Sequence, residues 1–261
     1  MYLLLVCAPA LYAEVREAVA YLEREVPKWK RENNCYSCHN NGDGLRALIA
    51  VRRADAESLA ALRRPGEWEA KPLARLQFAA AVHDAVEAGL LDRASLDAAA
   101  KALAEDQQPD GHWKVEEELA VGSPVTYGPV LATYLARQVL GDRYPERVRK
   151  ATEWLTARKS QHILETAVLA LALRREGDRE ALVAAQSKDG SWNGEPFDTA
   201  LARLALGASH PASVKARVWL MKTQWSGGGW PATTRPAGGD SYAQHISTTA
   251  WVLLSLVGQP F

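Results

Sequence analysis

Two cysteines and a histidine stand close together near the start of the chain, in the order Cys35, Tyr36, Ser37, Cys38, His39. Two thiols at this spacing can form thioether bonds to the two vinyl groups of one haem, and the histidine that follows can ligate the iron from the same side. We therefore expect Cys35 and Cys38 to anchor a covalent haem c, with His39 as the proximal iron ligand.

This spacing resembles the haem-attachment motif of c-type cytochromes, and other interpretations stay open beside it. The two cysteines could form a disulfide, they could be free thiols in a loop, or they could contribute to a zinc site. The chain has one further cysteine, Cys7, so a zinc site with four ligands would need distant histidines. Haem is the interpretation that the spacing favours.

A second pattern occurs three times: a glutamine is followed by a glycine four residues later and by a tryptophan six residues later. Each copy follows a helix-like stretch and precedes one rich in alanine and leucine, which predicts a helix, a tight turn and a second helix. The glycine supplies the positive φ of the turn, and the glutamine and tryptophan hold it in place. The three copies of this turn motif are 107–113, 186–192 and 224–230.

Three weaker units bring the expected number of helical hairpins to six. One of them has a loop without the motif, at 159–162, and another precedes the first full copy. In the first unit, Cys35 to His39 stand in the loop position where other units carry the turn motif. The paired helices of the weaker units are expected at 15–26 and 45–52, at 56–64 and 73–88, and at 149–155 and 166–173.

The repeated turn motif and its flanking helices resemble the repeat of the squalene/hopene cyclase and protein prenyltransferase superfamily. The resemblance covers about residues 14–258 and implies an all-α fold, an α/α toroid with inner and outer helix layers. We expect one toroid domain, 14–261, after a separate segment, 1–13. All turns would share one rim, so His245 is the first candidate for a distal iron ligand and His112 the second.

The same resemblance implies where a cyclase would hold its acid. Squalene–hopene cyclases protonate their substrate with the central aspartate of a D-x-D-D-T-A motif, and here Phe197 occupies that position in the stretch 195–200. Asp198 is the weak catalytic candidate, and capping of its helix is the alternative role. The zinc site of the prenyltransferases cannot be assembled, because no cysteine follows Cys38. Neither activity is expected by these routes.

The first thirteen residues are apolar and end in small residues, so they resemble a secretory signal, and a short apolar first helix is the alternative. Covalent haem attachment in bacteria takes place outside the cytoplasmic membrane, so we expect a periplasmic or otherwise extracytoplasmic protein. The 31 basic and 31 acidic residues balance, which predicts no nucleic-acid partner. No later segment is apolar for long enough to span a bilayer.

Two functional hypotheses follow from these patterns. The first is a c-type haem protein that transfers electrons or senses redox state together with a partner protein. The second is a cyclase-like or prenyltransferase-like enzyme that acts on an apolar isoprenoid small molecule in the central cavity. A non-catalytic interaction scaffold without haem is the remaining interpretation.

Overall fold

The computed structural model describes residues 8–64, 68, 71–115, 127–233 and 241–258, with side chains from residue 15 onward. The described part is helical, apart from one isolated bridge between Gln107 and Trp113. The helices are α1 (Ala8–Asn33), a π-helix (Cys38–Gly44) that continues into α2 (Leu45–Ala50), α3 (Ala56–Leu62), α4 (Pro72–Glu87), α5 (Arg93–Glu105), α6 (Gly128–Leu140), a short 3-10 turn (Gly141–Arg143), α7 (Pro145–Ala157), α8 (Ile163–Leu173), α9 (Glu176–Ala185), α10 (Pro196–Leu206), α11 (Pro211–Thr223) and α12 (Tyr242–Val257).

These helices form six hairpins that close into a ring. The inner layer consists of the π-helix with α2, then α4, α6, α8, α10 and α12, and each inner helix contacts the next. The last inner helix, α12, packs against both the π-helix and α1, so the sixth hairpin meets the first. The predicted all-α toroid with two helix layers is therefore confirmed.

The turn motif ties three helices together through hydrogen bonds that recur from copy to copy. In the second copy, the indole N–H of Trp192 donates to the Leu182 carbonyl at 2.8 Å, and its backbone N–H donates to Thr199 Oγ1 at 3.0 Å. Gln186 Nε2 donates to the Ala212 carbonyl, at the start of the next outer helix, at 2.8 Å. Both tryptophan bonds recur in the other two copies. The motif therefore joins its own hairpin to the next one.

The glycine of each turn motif lies against the backbone of the next outer helix. Gly228 has φ 92°, and a Cβ added there would overlap the carbonyl oxygen of Glu17 in α1. Gly111 and Gly190 stand in the same relation to α7 and α11. Only glycine combines the positive φ with this close approach. The third copy therefore closes the ring by seating the sixth hairpin on α1.

The first hairpin differs from the expected one at both ends. Its inner helix reaches back to Cys38, so Cys38 and His39 lie in the first turn of the π-helix, and only residues 35–37 form a loop. Ser37 starts the helix, since its hydroxyl accepts the backbone N–H of His39 at 3.3 Å. Helix α1 begins at Ala8, within the expected separate segment 1–13, of which residues 1–7 lie outside the described residues. No helix of the described residues is both long and apolar enough for a bilayer span.

Candidate functional site

The two thiols of the Cys35–His39 motif are not joined to each other. Cys35 is exposed, and its Sγ accepts a hydrogen bond from Trp29 Nε1 at 3.3 Å. Cys38 is buried at the start of the π-helix, and neither cysteine forms a disulfide. Within the described residues, no group of three histidine, cysteine, aspartate or glutamate side chains is arranged as a metal site. The motif therefore presents two thiols without a disulfide and one imidazole within five consecutive residues.

His39 is held by a chain of hydrogen bonds that ends on a buried carboxylate. Its Nδ1 lies 2.8 Å from Ser247 Oγ, and Ser247 in turn donates its hydroxyl proton to Asp43 Oδ2 at 2.7 Å. A serine hydroxyl has one proton, so Nδ1 of His39 must be the donor in the first bond. In this tautomer Nε2 carries the imidazole lone pair, which is the form that ligates a metal.

Asp43 accepts hydrogen bonds from side chains of three other hairpins. Tyr127 OH donates to Oδ1, whereas Gln77 Nε2 and Ser247 Oγ each donate to Oδ2 at 2.7 Å. The side chain of Asp43 is fully buried, so these bonds replace water as its solvation. The second, third and sixth hairpins therefore meet the first one at this carboxylate.

An ion pair lies beside Asp43 and joins Arg46, which is fully buried, to Asp84 of α4, whose side chain is 18% exposed. The Nε of Arg46 donates to Asp84 Oδ2 at 2.8 Å, and His83 Nδ1 is 3.1 Å from the other oxygen of Asp84. Arg46 Nη1 is 3.9 Å from Asp43 Oδ1, and the guanidinium lies 5.3 Å from the centre of the Trp251 ring. Burial opposes both charges, but Asp84 raises the pKa of Arg46 and Arg46 lowers that of Asp84. The pair is charged despite its burial.

Three aromatic side chains from different inner helices fill the centre of the ring. The ring centroids of Tyr127, Phe197 and Trp251 lie 5.7–6.3 Å apart, and none of the three is more than 2% exposed. Trp251 Nε1 donates to Tyr127 OH at 3.0 Å. Burial, followed by the charge of Asp43, raises the pKa of Tyr127 well above its usual value. Phe197, at the acid position of a cyclase, is thus one part of an aromatic cluster.

Asp198, the weak catalytic candidate, is fully buried in the first turn of α10, and the N-cap of that helix is Glu195. One carboxylate oxygen of Asp198 accepts a hydrogen bond from Asn193 Nδ2 at 2.9 Å. A negative charge in the first turn also interacts favourably with the helix dipole. These contacts give Asp198 a structural role at the start of α10.

The two candidate distal ligands, His245 and His112, have contacts away from His39. The ring of His245 lies 4.6 Å from that of Trp225, and its Nδ1 is 3.4 Å from the Trp230 carbonyl oxygen. Ser247 follows two residues later, and residues two apart on an α-helix leave it on nearly opposite sides, about 200° apart. Ser247 faces His39, so His245 leaves α12 on the other side.

His112 stacks on Trp154 at 5.0 Å and pairs with Asp110 at 2.6 Å, between the third and fourth hairpins. These contacts do not include His39. Cys35, Cys38 and His39 are neighbours through their order in the chain at the start of the π-helix, whereas the described contacts of His112 and His245 lie at other turns.

Sequence reasoning missed the residues that support His39, namely Asp43, Arg46, Gln77 and Ser247. A signal was present, because Asp43 and Arg46 stand one helical turn apart in an inner helix whose other positions, 45 and 47–50, are apolar. Oppositely charged residues on a buried helix face indicate a buried polar network. The partners that join this network are 34 to 208 residues apart in the chain, and nothing in the local pattern identifies them.

No protein-family model matches the chain, and no curated protein matches it. Several solved structures do match the chain. A variant of the type II terpene cyclase MstE from Scytonema, in complex with its substrate geranylgeranyl dihydroxybenzoate, matches with a TM-score of 0.62 and 19% identity over 96% of this chain and 97% of that one. The chain has the α/α fold of these terpene cyclases.

Two other solved structures extend this comparison. Another variant of MstE, in complex with the product merosterolic acid A, has a TM-score of 0.64 and 20% identity over 98% of this chain and 99% of that one. A protein from Actinoplanes has a TM-score of 0.62 and 17% identity over 94% and 98% of the two chains. At these identities the likeness establishes the fold.

Proposed function

We propose that this chain is an extracytoplasmic c-type haem protein, with thioether bonds from Cys35 and Cys38 and with His39 Nε2 as the axial ligand. The observation that carries the proposal is the fixed imidazole that follows Cys38 in the chain: His39 Nδ1 is hydrogen-bonded to Ser247, and Ser247 to the buried Asp43. Histidines that bind metals usually donate their other ring N–H to such a partner, which sets the ring orientation.

The donor set present in the chain fits a haem. Neither cysteine is committed to a disulfide. A bound haem would supply reversible one-electron chemistry at its iron. The chain itself would hold the group at two points, orient the imidazole and keep its Nδ1 proton in place. Cys35 is exposed, so a redox partner protein could approach the chain at this attachment point, whereas Cys38 is buried.

The surroundings of two side chains, Phe197 and Asp43, argue against acid-initiated cyclisation at the centre of the ring. Phe197 has no proton to give, and it packs against Tyr127 and Trp251. Asp43, a fully buried carboxylate, uses both oxygens to accept hydrogen bonds from three donors. Neither side chain presents an acidic proton to a substrate.

Covalent attachment tests the proposal directly. The full chain, expressed together with a cytochrome c maturation system, should give a band that stains for haem peroxidase activity on a denaturing gel. Single Cys35→Ala and Cys38→Ala variants should stain more weakly, and the double variant should not stain. A wild-type protein without stain and with two unmodified cysteines would overturn the proposal.

A second candidate is a terpenoid-binding or terpenoid-converting protein, and the structural comparisons favour it, since the named matches are type II terpene cyclases. In this function an apolar isoprenoid would occupy the ring and Asp198 would be the acid. Incubation with geranylgeranyl-bearing phenols, followed by mass spectrometry of the extract, should then give cyclised isomers, and Asp198→Asn should abolish them. Unchanged isoprenoid in every sample would exclude this candidate.

A further inference from the structure

We propose that Asp43 is a positioning residue for His39: acting through Ser247, it holds the imidazole in the tautomer with the proton on Nδ1. The assignment of Nε2 as an iron ligand rests on the proposed function, whereas the tautomer does not. Asp43 does not touch His39 in this arrangement. Its effect passes through one serine hydroxyl, 2.8 Å from the imidazole and 2.7 Å from the carboxylate.

The number of available protons fixes the direction of the hydrogen bonds that link His39, Ser247 and Asp43. If Ser247 donated to His39 instead, the serine oxygen and Asp43 Oδ2 would face each other at 2.7 Å without a proton between them. Two oxygen acceptors at that distance repel, and both groups are buried, so no water relieves the contact. The serine proton therefore belongs to the carboxylate, and the imidazole must supply its own.

The order in which His39, Ser247 and Asp43 are hydrogen-bonded also differs from the order in a catalytic triad. In a triad the carboxylate contacts the histidine, and the histidine contacts the serine nucleophile. Here Ser247 is the middle group, and it is only 2% exposed. Its hydroxyl is a link between two elements of the ring and is not placed to attack a substrate.

The carboxylate is itself rigidly held, which a positioning residue requires. Tyr127 and Gln77 bind Asp43 from α6 and α4, and α4 packs closely on the π-helix. A Cβ added at Gly42 would lie 2.8 Å from Gln77 Cβ, so the backbone of the π-helix touches this partner directly. Rotation of the Asp43 side chain would break three buried hydrogen bonds at once.

The Ser247 hydroxyl is polarised by the Asp43 carboxylate and is therefore a better hydrogen-bond acceptor. The His39 imidazole, which donates to this hydroxyl, becomes more electron-rich as a result. An electron-rich axial imidazole stabilises the oxidised iron of a bound haem. With haem attached, the wild-type reduction potential should therefore be lower than that of a variant in which the link is cut.

Two variants interrupt the hydrogen-bonded connection from His39 through Ser247 to Asp43, and one matched control leaves it intact. Ser247→Ala removes the bridging hydroxyl, and Asp43→Asn keeps the shape but not the charge. The control is Ser255→Ala on the same helix, whose buried hydroxyl donates to the Val252 carbonyl. Nitrogen NMR of the haem-free, ¹⁵N-histidine-labelled full chain, recorded at about pH 9 to keep the rings neutral, reports the tautomer of His39. Voltammetry of the haem-loaded chain reports the potential.

We expect the Nδ1–H tautomer in the wild type and in Ser255→Ala, with a shift to Nε2–H and a raised potential in Ser247→Ala. Asp43→Asn, if it folds, should shift the tautomer of His39 and the reduction potential in the same direction as Ser247→Ala. An Nε2–H signal for His39 in the wild type would overturn the inference, as would equal shifts in Ser247→Ala and Ser255→Ala. Absence of covalent haem together with the expected tautomer change would overturn the proposed function and uphold the role of Asp43.

Discussion

Tyr127 donates its phenolic proton to Asp43 across the centre of the ring, which joins the third hairpin to the first. The same oxygen of Tyr127 accepts the indole N–H of Trp251, from the sixth hairpin, at 3.0 Å. One phenol thus connects three units that are far apart in the sequence. The centre of this toroid is held by a polar network as well as by apolar packing.

Replacement of this phenol, Tyr127→Phe, should lower the free energy of unfolding by about 1–3 kcal/mol, because it leaves the buried N–H of Trp251 without its acceptor. Urea denaturation followed by tryptophan fluorescence measures the loss. The control is Tyr144→Phe, whose hydroxyl has no hydrogen-bond partner among the described residues. Equal losses in the two variants would contradict the role given to Tyr127.

Ring closure depends on a glycine, so Gly228→Ala should destabilise the chain by about 2 kcal/mol or more. The added methyl group would meet the backbone of Glu17 in α1, at a residue with φ 92°. The neighbouring Gly227→Ala is the control, because a Cβ there meets no atom within 4 Å. Thermal denaturation should separate the two variants, and indistinguishable midpoints would refute closure through Gly228.

Each turn motif depends on a threonine of its inner helix. Thr199→Val removes the acceptor of the Trp192 backbone N–H and should cost about 1–3 kcal/mol, since that N–H is buried. The exposed Thr156→Val should change stability by less than about 0.5 kcal/mol. Urea midpoints of both variants check the difference. A neutral Thr199→Val would mean that the threonine does not hold the turn.

Glu25 should make stability depend on acid pH. Burial alone would raise its pKa, but hydrogen bonds from Arg24 and Tyr242 outweigh burial and lower the pKa below its usual value. A lowered pKa stabilises the fold above the pKa of the unfolded chain, and this stability is lost as pH falls through the folded value. Urea midpoints between about pH 7 and pH 3 should therefore fall less steeply in Glu25→Gln than in the wild type.

Glu180→Gln, at an exposed position of α9, is the control for this pH series and should follow the wild-type curve. If Glu25→Gln loses stability over the same pH range and by the same amount as the wild type, the carboxylate of Glu25 does not contribute.

The repeat pattern was sufficient to predict the helical hairpins, and the family resemblance that it carries implied their closure into a ring. The inner helix expected at 73–88 is observed at Pro72–Glu87, and the unit without a turn motif forms α7 and α8 around its short loop. Such predictions succeed because every hairpin repeats the same local rules of helix, tight turn and buried aromatic ring.

The first hairpin was harder to predict, since it lacks the repeated turn. The π-helix from Cys38 to Gly44 places Asp43 towards Tyr127 and Gln77, and those partners come from other hairpins. A local pattern contains no information about contacts across a closed ring. The motif Cys35–His39 was found by its spacing, whereas Asp43 and Ser247, which hold His39, were found from the structure.

The intact mass of the denatured protein tests the central proposal most directly. After expression with a cytochrome c maturation system, the wild-type chain should be heavier than its sequence by one haem, and peptide mapping should place the haem on Cys35 and Cys38. A chain at its unmodified mass under these conditions, with both thiols free or joined as a disulfide, would contradict the account.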